Sequence, residues 1–255
     1  MNFVTSPAIG LALSLAAIYL FKLSPIWSAT VVFLSLNLKM LPLVSTVRVA
    51  PALARLFLWP TSTPEPESLL QSHSMGSRTC ILECDVNIHK SNSTYLLDLD
   101  VSRAELLTRR FAHALRRTRG ALILAGVNIS FRREIKPLQA YETRSCVLAW
   151  DQKWIYVLSC HIKPGAAAML EAGSDDWVGA LMGNSESPHT WKSQVFAVAV
   201  SKYVAKAGRR TIPPSDLLEA GGYLGSGGPA DKERLDRVEA RRLKGLDLVA
   251  FLSSN

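Results

Sequence analysis

An α+β domain, in which an antiparallel sheet wraps around one long helix behind an N-terminal membrane helix, is the architecture this sequence predicts. Three observations predict it. Phe3 to Phe21 is apolar and carries no charge. Leu96, Leu99, Arg103, Leu106, Leu107, Arg110, Phe111 and Leu115 recur at three- and four-residue spacing, the period of a helix with one buried face. After Gly120 the period shortens, and segments rich in β-branched and aromatic residues follow one another between turn residues.

The elements follow in chain order. The run from Phe3 to Phe21 approaches the roughly 20 apolar residues that cross a bilayer as a helix. A second apolar stretch, Pro25 to Val47, reads as a second span, a hairpin partner or an interfacial helix. Lys22, Lys39, Arg48 and Arg55 lie on the C-terminal side of the first span with no acid among them, which places the following domain in the cytosol, on an endomembrane. The sequons Asn92-Ser93-Thr94 and Asn128-Ile129-Ser130 agree, because a lumenal domain would risk a glycan there. The organisation expected is a membrane-anchor region at 1–50, a linker at 51–77 containing the proline-rich Trp59 to Pro66, a folded domain at 78–214, and a linker plus amphipathic helix at 215–255.

Within the domain, Thr79 to Val86 reads as a first strand and Tyr95 onward as the long helix, capped by Asn92 or Ser93. Arg109, Arg110, Arg116, Arg117 and Arg119 suit its C-terminal dipole. Ala121 to Phe131, Tyr141 to Trp150, Trp154 to Ile162 and Gln194 to Val204 read as strands, the middle two joined by a tight turn at Asp151-Gln152. Gly165 to His189 is an irregular insertion, and Gly221 to Pro229 a linker. Asp231 to Leu252 is a charged helix with Leu235, Val238, Leu246 and Val249 on one side, which fits packing on its own domain.

Composition narrows the function. The formal charge of +8 is spread along the chain without a zinc-finger or RNA-binding signature, so nucleic acid is not the expected partner; an anionic membrane surface or substrate fits better. Cys80, Cys84, Cys146 and Cys160 lack metal-ligand spacing, and neither a metal nor a cofactor is expected. There is no nucleotide loop, no G-x-S-x-G elbow and no metal-binding histidine pair.

Chemistry concentrates between Glu83 and Tyr95, where an acid, a histidine, amides and a phenol fall at the start of the helix. Unpaired backbone donors at a helix N-terminus can stabilise an oxyanion. Asp85 is a candidate general base on water, or a nucleophile; His89 is placed to orient acid or water, and Asn92 to cap the helix. The bland alternative stands beside this, since Asp, Asn, Ser and Thr are what any helix N-terminus prefers.

The spacing Asp85, His89, Asn92, Tyr95 resembles the D-x-x-x-H-x-x-N-x-x-Y signature of hotdog-fold thioesterases of the 4-hydroxybenzoyl-CoA thioesterase type. The apolar N-terminus, the block Asp85 to Phe111, Phe131-Arg132-Arg133-Glu134-Ile135 and Arg209 to Pro214 are similar to THEM6-like proteins and their fungal relatives. The resemblance implies a hotdog fold, a homodimer joined through sheet edges, and hydrolysis of an acyl-CoA or carrier-protein-bound acyl or polyketide thioester, in fungal polyketide or lipopeptide biosynthesis. Asp85 then matches the catalytic acid, with His89 and Asn92 beside it and Asn87, Ile88 and Tyr95 as substrate-binding positions. Glu83 and Ile88 depart from the pattern, which has Asp and glycine there. Ile88 favours the alternative, a catalytically silent hotdog dimer that binds acyl chains or scaffolds partners at the membrane. An apolar acyl tunnel is expected beneath Tyr95 and Leu96, and Arg132 and Arg133 are candidates for CoA phosphates.

Overall fold

The computed structural model describes residues 7–22, 24–58, 66–166, 193–224 and 229–254. Helices α1 (Pro7–Phe21), α2 (Pro25–Leu36) and α3 (Val44–Leu58) lead into strand β1 (His73–Arg78), the long helix α4 (Asn92–Thr118), and strands β2 (Ala121–Phe131), β3 (Ala140–Trp150), β4 (Ile155–Ile162), β5 (Val195–Ala207) and β6 (Arg210–Ile212). Two helices close the chain, α5 (Pro214–Gly221) and α6 (Pro229–Ser254). The strands form one antiparallel sheet in the order β1-β3-β4-β5-β2, with β6 paired to β5. It wraps α4 on one face, as a hotdog does.

The helix forms where the spacing places it, and its apolar stripe supplies the core: Leu106, Leu107, Phe111 and Leu115 pack with Val147, Ile155, Val157 and Ala205 of the sheet. Arg119 ends the helix in the left-handed conformation, its amide bonding back to Arg116. Asp151 shapes the β3–β4 turn by accepting the Lys153 and Trp154 amides at 2.7 and 2.6 Å.

Several expectations are corrected. The first strand is His73–Arg78, not Thr79 to Val86. Its polar sequence conceals a period of two that buries Met75 and Ser77, whereas the apolar Ile81 and Leu82 stay exposed on a 3-10 turn at Ile81–Glu83. The stretch before Arg78 is more than a linker, because Leu69 and Leu70 lie in the core and α3 packs along α4. Among the described residues no helix is long and apolar enough to cross a membrane. The fifteen residues of α1 rise about 22 Å at ~1.5 Å per residue, short of a ~30 Å hydrocarbon core. Nor are the basic residues after it free topology signals: Lys39 and Arg48 are buried against carboxylates of the domain, and Arg55 pairs with Glu105 at 2.6 Å. The insertion beyond Ala166 and most of the proline-rich linker lie outside the described residues.

Helix α6 packs on its own domain. Val238 joins the inner core, while Leu248 covers Cys146, Leu148 and Leu158 on the outer face of the sheet. Gly245 permits this approach, since a Cβ there would stand 2.4 Å from the Leu148 carbonyl oxygen. At the other end of the sheet, β2 pairs only with β5 among the described residues and exposes Ile123, Leu124 and Phe131.

Candidate active site

Between the 3-10 turn and α4 the chain makes a miniature hairpin. Cys84 and Lys90 form an antiparallel bridge, the Asp85 amide donates to the His89 carbonyl at 3.0 Å, and the Ile88 amide donates to the Asp85 carbonyl at 3.0 Å. Such a three-residue loop ordinarily needs glycine in its left-handed position. Here that position is Ile88, at φ 60° with its side chain exposed. A β-branched residue is strained there, at a cost on the order of 1–3 kcal/mol.

The loop presents Asp85 and His89 together. Oδ1 of Asp85 accepts the Asn87 amide at 2.9 Å and lies 3.6 Å from His89 Nδ1, and both side chains remain partly open to solvent. On its other side His89 Nε2 lies 3.9 Å from Glu134. The fixed carboxylate beside an imidazole is what general-base or nucleophilic chemistry needs. Ser91, not Asn92 or Ser93, occupies the N-cap of α4 and contributes no side-chain cap bond; Asn92 is the first helical residue and is exposed. The Thr94 amide donates to the Ser91 carbonyl at 2.9 Å, so the Asn92 and Ser93 amides are the donors this terminus retains for an anionic oxygen.

Tyr95 points the other way. Its ring is buried edge-on to Phe131 at 5.1 Å and His161 at 5.0 Å, among Ile135, Tyr141 and Phe196. Side chains therefore fill the space where an acyl tunnel was expected. Burial pushes the Tyr95 phenol up to about 12, so it stays protonated near neutrality.

Beneath the loop lies a cluster that the sequence reading did not assemble. Glu83, Asp98, Lys39 and Lys90 are all buried, and Tyr141 lies against them. Lys90 Nζ reaches Glu83 at 2.6 Å and Asp98 at 3.1 Å; Lys39 Nζ reaches Glu83 at 2.8 Å and Asp98 at 3.0 Å; Arg48 closes on Asp98 at 2.8 Å. The Tyr141 hydroxyl donates to Asp98. Burial alone raises the Asp98 carboxyl, but Lys39, Lys90 and Arg48 outweigh it and hold it well below the usual carboxylate range. Burial also lowers Lys39, with Lys90 adding to the effect and Asp98 and Glu83 opposing it. Two sequence signals pointed here. Lys39 is a lone charge in an apolar stretch, and Asp98 falls three residues after Tyr95 on the buried face of α4.

A separate open depression of about 430 Å³ lies next to Glu134 and is lined by Arg133, Lys136, Leu138, Lys163 and Phe196, giving it three cations against one acid. Arg133 donates to the Ser193 carbonyl at 2.9 Å.

Comparison with known proteins gives these arrangements a context. A family profile, the thioesterase-like superfamily, matches residues 81–166. The chain is 41% identical over 197 residues to Thioesterase poxG of Penicillium oxalicum, covering 68% of this chain but 64% of that protein, just under two thirds of its length. To Probable thioesterase atnL of Emericella nidulans it is 35% identical over 259 residues, covering 86% of this chain and 82% of that one. Among solved structures, YbaW, a probable thioesterase from Escherichia coli, aligns with a TM-score of 0.43 at 14% identity, over 59% of this chain and 96% of the other.

Proposed function

Because this chain belongs to the thioesterase-like superfamily, we propose that it hydrolyses an acyl thioester at the Asp85–His89 loop. The observation that carries the reading is the Asp85 carboxylate, fixed by the Asn87 amide and beside His89, at the entry to α4. In this mechanism Asp85 removes a proton from water as it attacks the thioester carbonyl, or attacks directly to give an anhydride that water then opens. The Asn92 and Ser93 amides in the first turn of α4 donate to the developing oxyanion. Collapse breaks the C–S bond, and the thiolate leaves and takes up a proton.

The thiol carrier is coenzyme A or a carrier protein, both anionic, and the basic depression of Arg133, Lys136 and Lys163 supports this choice. The resemblance to fungal relatives supports a place in polyketide or lipopeptide biosynthesis. A homodimer paired through the exposed edge of β2 would set the apolar Ile123, Leu124 and Phe131 at the subunit boundary, where an acyl chain can lie. The hairpin of α1 and α2, joined by the Ser14–Ser35 hydroxyl contact at 2.5 Å and exposing Leu13, Leu15, Tyr19, Ile26 and Trp27, supports interfacial attachment to a membrane.

A panel of acyl-CoA and acyl-carrier thioesters, followed by release of free thiol from the full chain, tests the reading. Wild-type protein turns over at least one of them, and folded Asp85→Asn loses at least about a hundredfold in kcat/KM. A folded wild-type dimer that hydrolyses none, yet binds acyl chains, would establish the second reading. That silent acyl-binding protein is favoured by the exposed Ile88 side chain, which stands over the loop where close approach of a thioester needs glycine.

A further inference from the structure

The miniature hairpin stands on two residues, Glu83 and Lys90, whose side chains turn inward from its feet and meet at 2.6 Å. Glu83 is the hub of this foundation. Its carbonyl accepts the Ser91 amide at the N-cap of α4, and its carboxylate accepts the Cys80 amide at 3.0 Å. Both bonds tie the loop to what precedes and follows it. Neither fixes the hub from below.

That support comes from the segment between α2 and α3, outside the residues 81–166 that the family profile matches. Lys39 Nζ lies within hydrogen-bonding distance of Ser77 Oγ at 3.1 Å, Tyr141 Oη at 2.7 Å and the carboxylates of Glu83 and Asp98 at 3.0 Å each, four acceptors that share its three protons. Two residues earlier Asn37, wholly buried, accepts the Leu82 amide through Oδ1 at 2.8 Å and anchors itself by donating from Nδ2 to the Phe33 carbonyl at 2.8 Å. The short helices at the N-terminus thus grip both the backbone and the side chain at the base of the loop that carries Asp85.

We propose that Asn37 and Lys39 are positioning residues for the Asp85–His89 loop, so that the N-terminal helices are part of the active site's foundation. The effect on turnover rests on the thioesterase reading; the effect on loop order does not. Charge counting keeps the two consequences of losing Lys39 apart. The cluster holds Lys39, Arg48 and Lys90 against Glu83 and Asp98, three cations to two carboxylates, and without Lys39 two of each remain. Lys39→Met therefore leaves no carboxylate without a cation, while removing the donor that holds Glu83 from below.

The test uses the full chain with Lys39→Met, Asn37→Ala and, as a control, Arg55→Met, which breaks the Arg55–Glu105 pair of the same N-terminal region away from the loop. Amide hydrogen exchange is read first. The Asp85 and Ile88 amides, bonded in the wild type, exchange at least about tenfold faster in Lys39→Met and Asn37→Ala, while the β3–β4 amides keep wild-type protection; Arg55→Met changes neither. On a thioester the wild type hydrolyses, the two variants, assayed where circular dichroism shows them fully folded, lose at least about tenfold in kcat with KM within about twofold. Unchanged loop exchange in either folded variant overturns the proposal, whatever the activity. If Lys39→Met does not fold, the neutral truncation Asn37→Ala decides it. A wild type without any thioesterase activity defeats the proposed function but leaves the exchange result to judge the positioning.

Discussion

At the scale of single residues, the most informative position is Ile88. Its role at the loop was legible from resemblance alone, as a departure from glycine; the backbone gives the physical reason, a φ of 60° that favours a residue without a Cβ. Ile88→Gly removes that strain but adds unfolded-state entropy, so the net gain expected is about 1 kcal/mol of stability by denaturant unfolding. With the side chain gone, kcat/KM on a thioester rises as well. A variant less stable than wild type would show that the strain is illusory. His161 was not legible, because a histidine at a strand end carries no mark of the face it takes. It proves to be buried against Tyr95 and Tyr141, with Thr143 Oγ1 at 2.9 Å from Nδ1. Burial, aided by Lys90 and Lys39 and opposed by Asp98, lowers it to about 3 from 6.5. The unfolded chain therefore takes up this proton first as pH falls. Its contribution is fully present above pH 6.5 and declines by about 1.4 kcal/mol per pH unit toward pH 3. Denaturant unfolding between pH 7 and 4 checks this: His161→Gln loses one proton's worth of slope relative to wild type, and identical slopes would exclude the assignment.

At the scale of elements, the C-terminal half of α4 was legible from its helical period, and strands β2 to β5 from apolar, β-branched and aromatic runs bounded by turn residues, with β3, β4 and β5 buried almost throughout. What hid the rest was polarity inside. β1 buries a methionine and a serine in place of a hydrophobic run, and the N-terminal half of α4 buries Asp98, Ser102 and Arg103. The sheet answers with hydroxyls, Ser145 at 2.8 Å from Ser102 and Ser201 at 2.6 Å from Arg103. A pattern rule that assigns charges to solvent cannot find a core of this kind. The energetic consequence concentrates at Asp98, which faces Lys39, Lys90 and Arg48 at 3.0, 3.1 and 2.8 Å. Asp98→Asn leaves Glu83 as the only carboxylate among three buried cations, and the expected loss is about 3–5 kcal/mol of stability at pH 7. Because the folded-state carboxyl is depressed, the wild-type advantage is present above 3.8 and disappears as pH falls further. Unfolding curves of the two proteins at pH 7 and pH 3 read both statements: a wide gap at the first and a narrowed one at the second.

At the scale of the whole molecule, the sheet is finished on one side and open on the other. Helix α6 closes the outer face, with Gly245 seated against Leu148. At the β1 end the strand is short, and α3 and its ion pairs lie on the adjoining helix. The opposite edge is an eleven-residue strand, β2, with apolar side chains exposed and no strand beyond it among the described residues. A long edge with apolar side chains exposed is an aggregation hazard unless something pairs with it, even with the bulge between Leu124 and Gly126. Two copies meeting along β2, as proposed, would satisfy both the backbone and the exposed Ile123, Leu124 and Phe131 and would extend one continuous sheet across the pair. Sedimentation of the full chain is then expected to give twice the 28.0 kDa protomer mass, in detergent if the N-terminal helices require it. Ile123→Glu with Leu124→Glu sets like charges across that edge, so the double variant shifts to monomer while its circular dichroism stays that of the wild type. Should the double variant remain dimeric at the same concentration, the contact lies elsewhere, and β2 must be covered by a different surface of the partner.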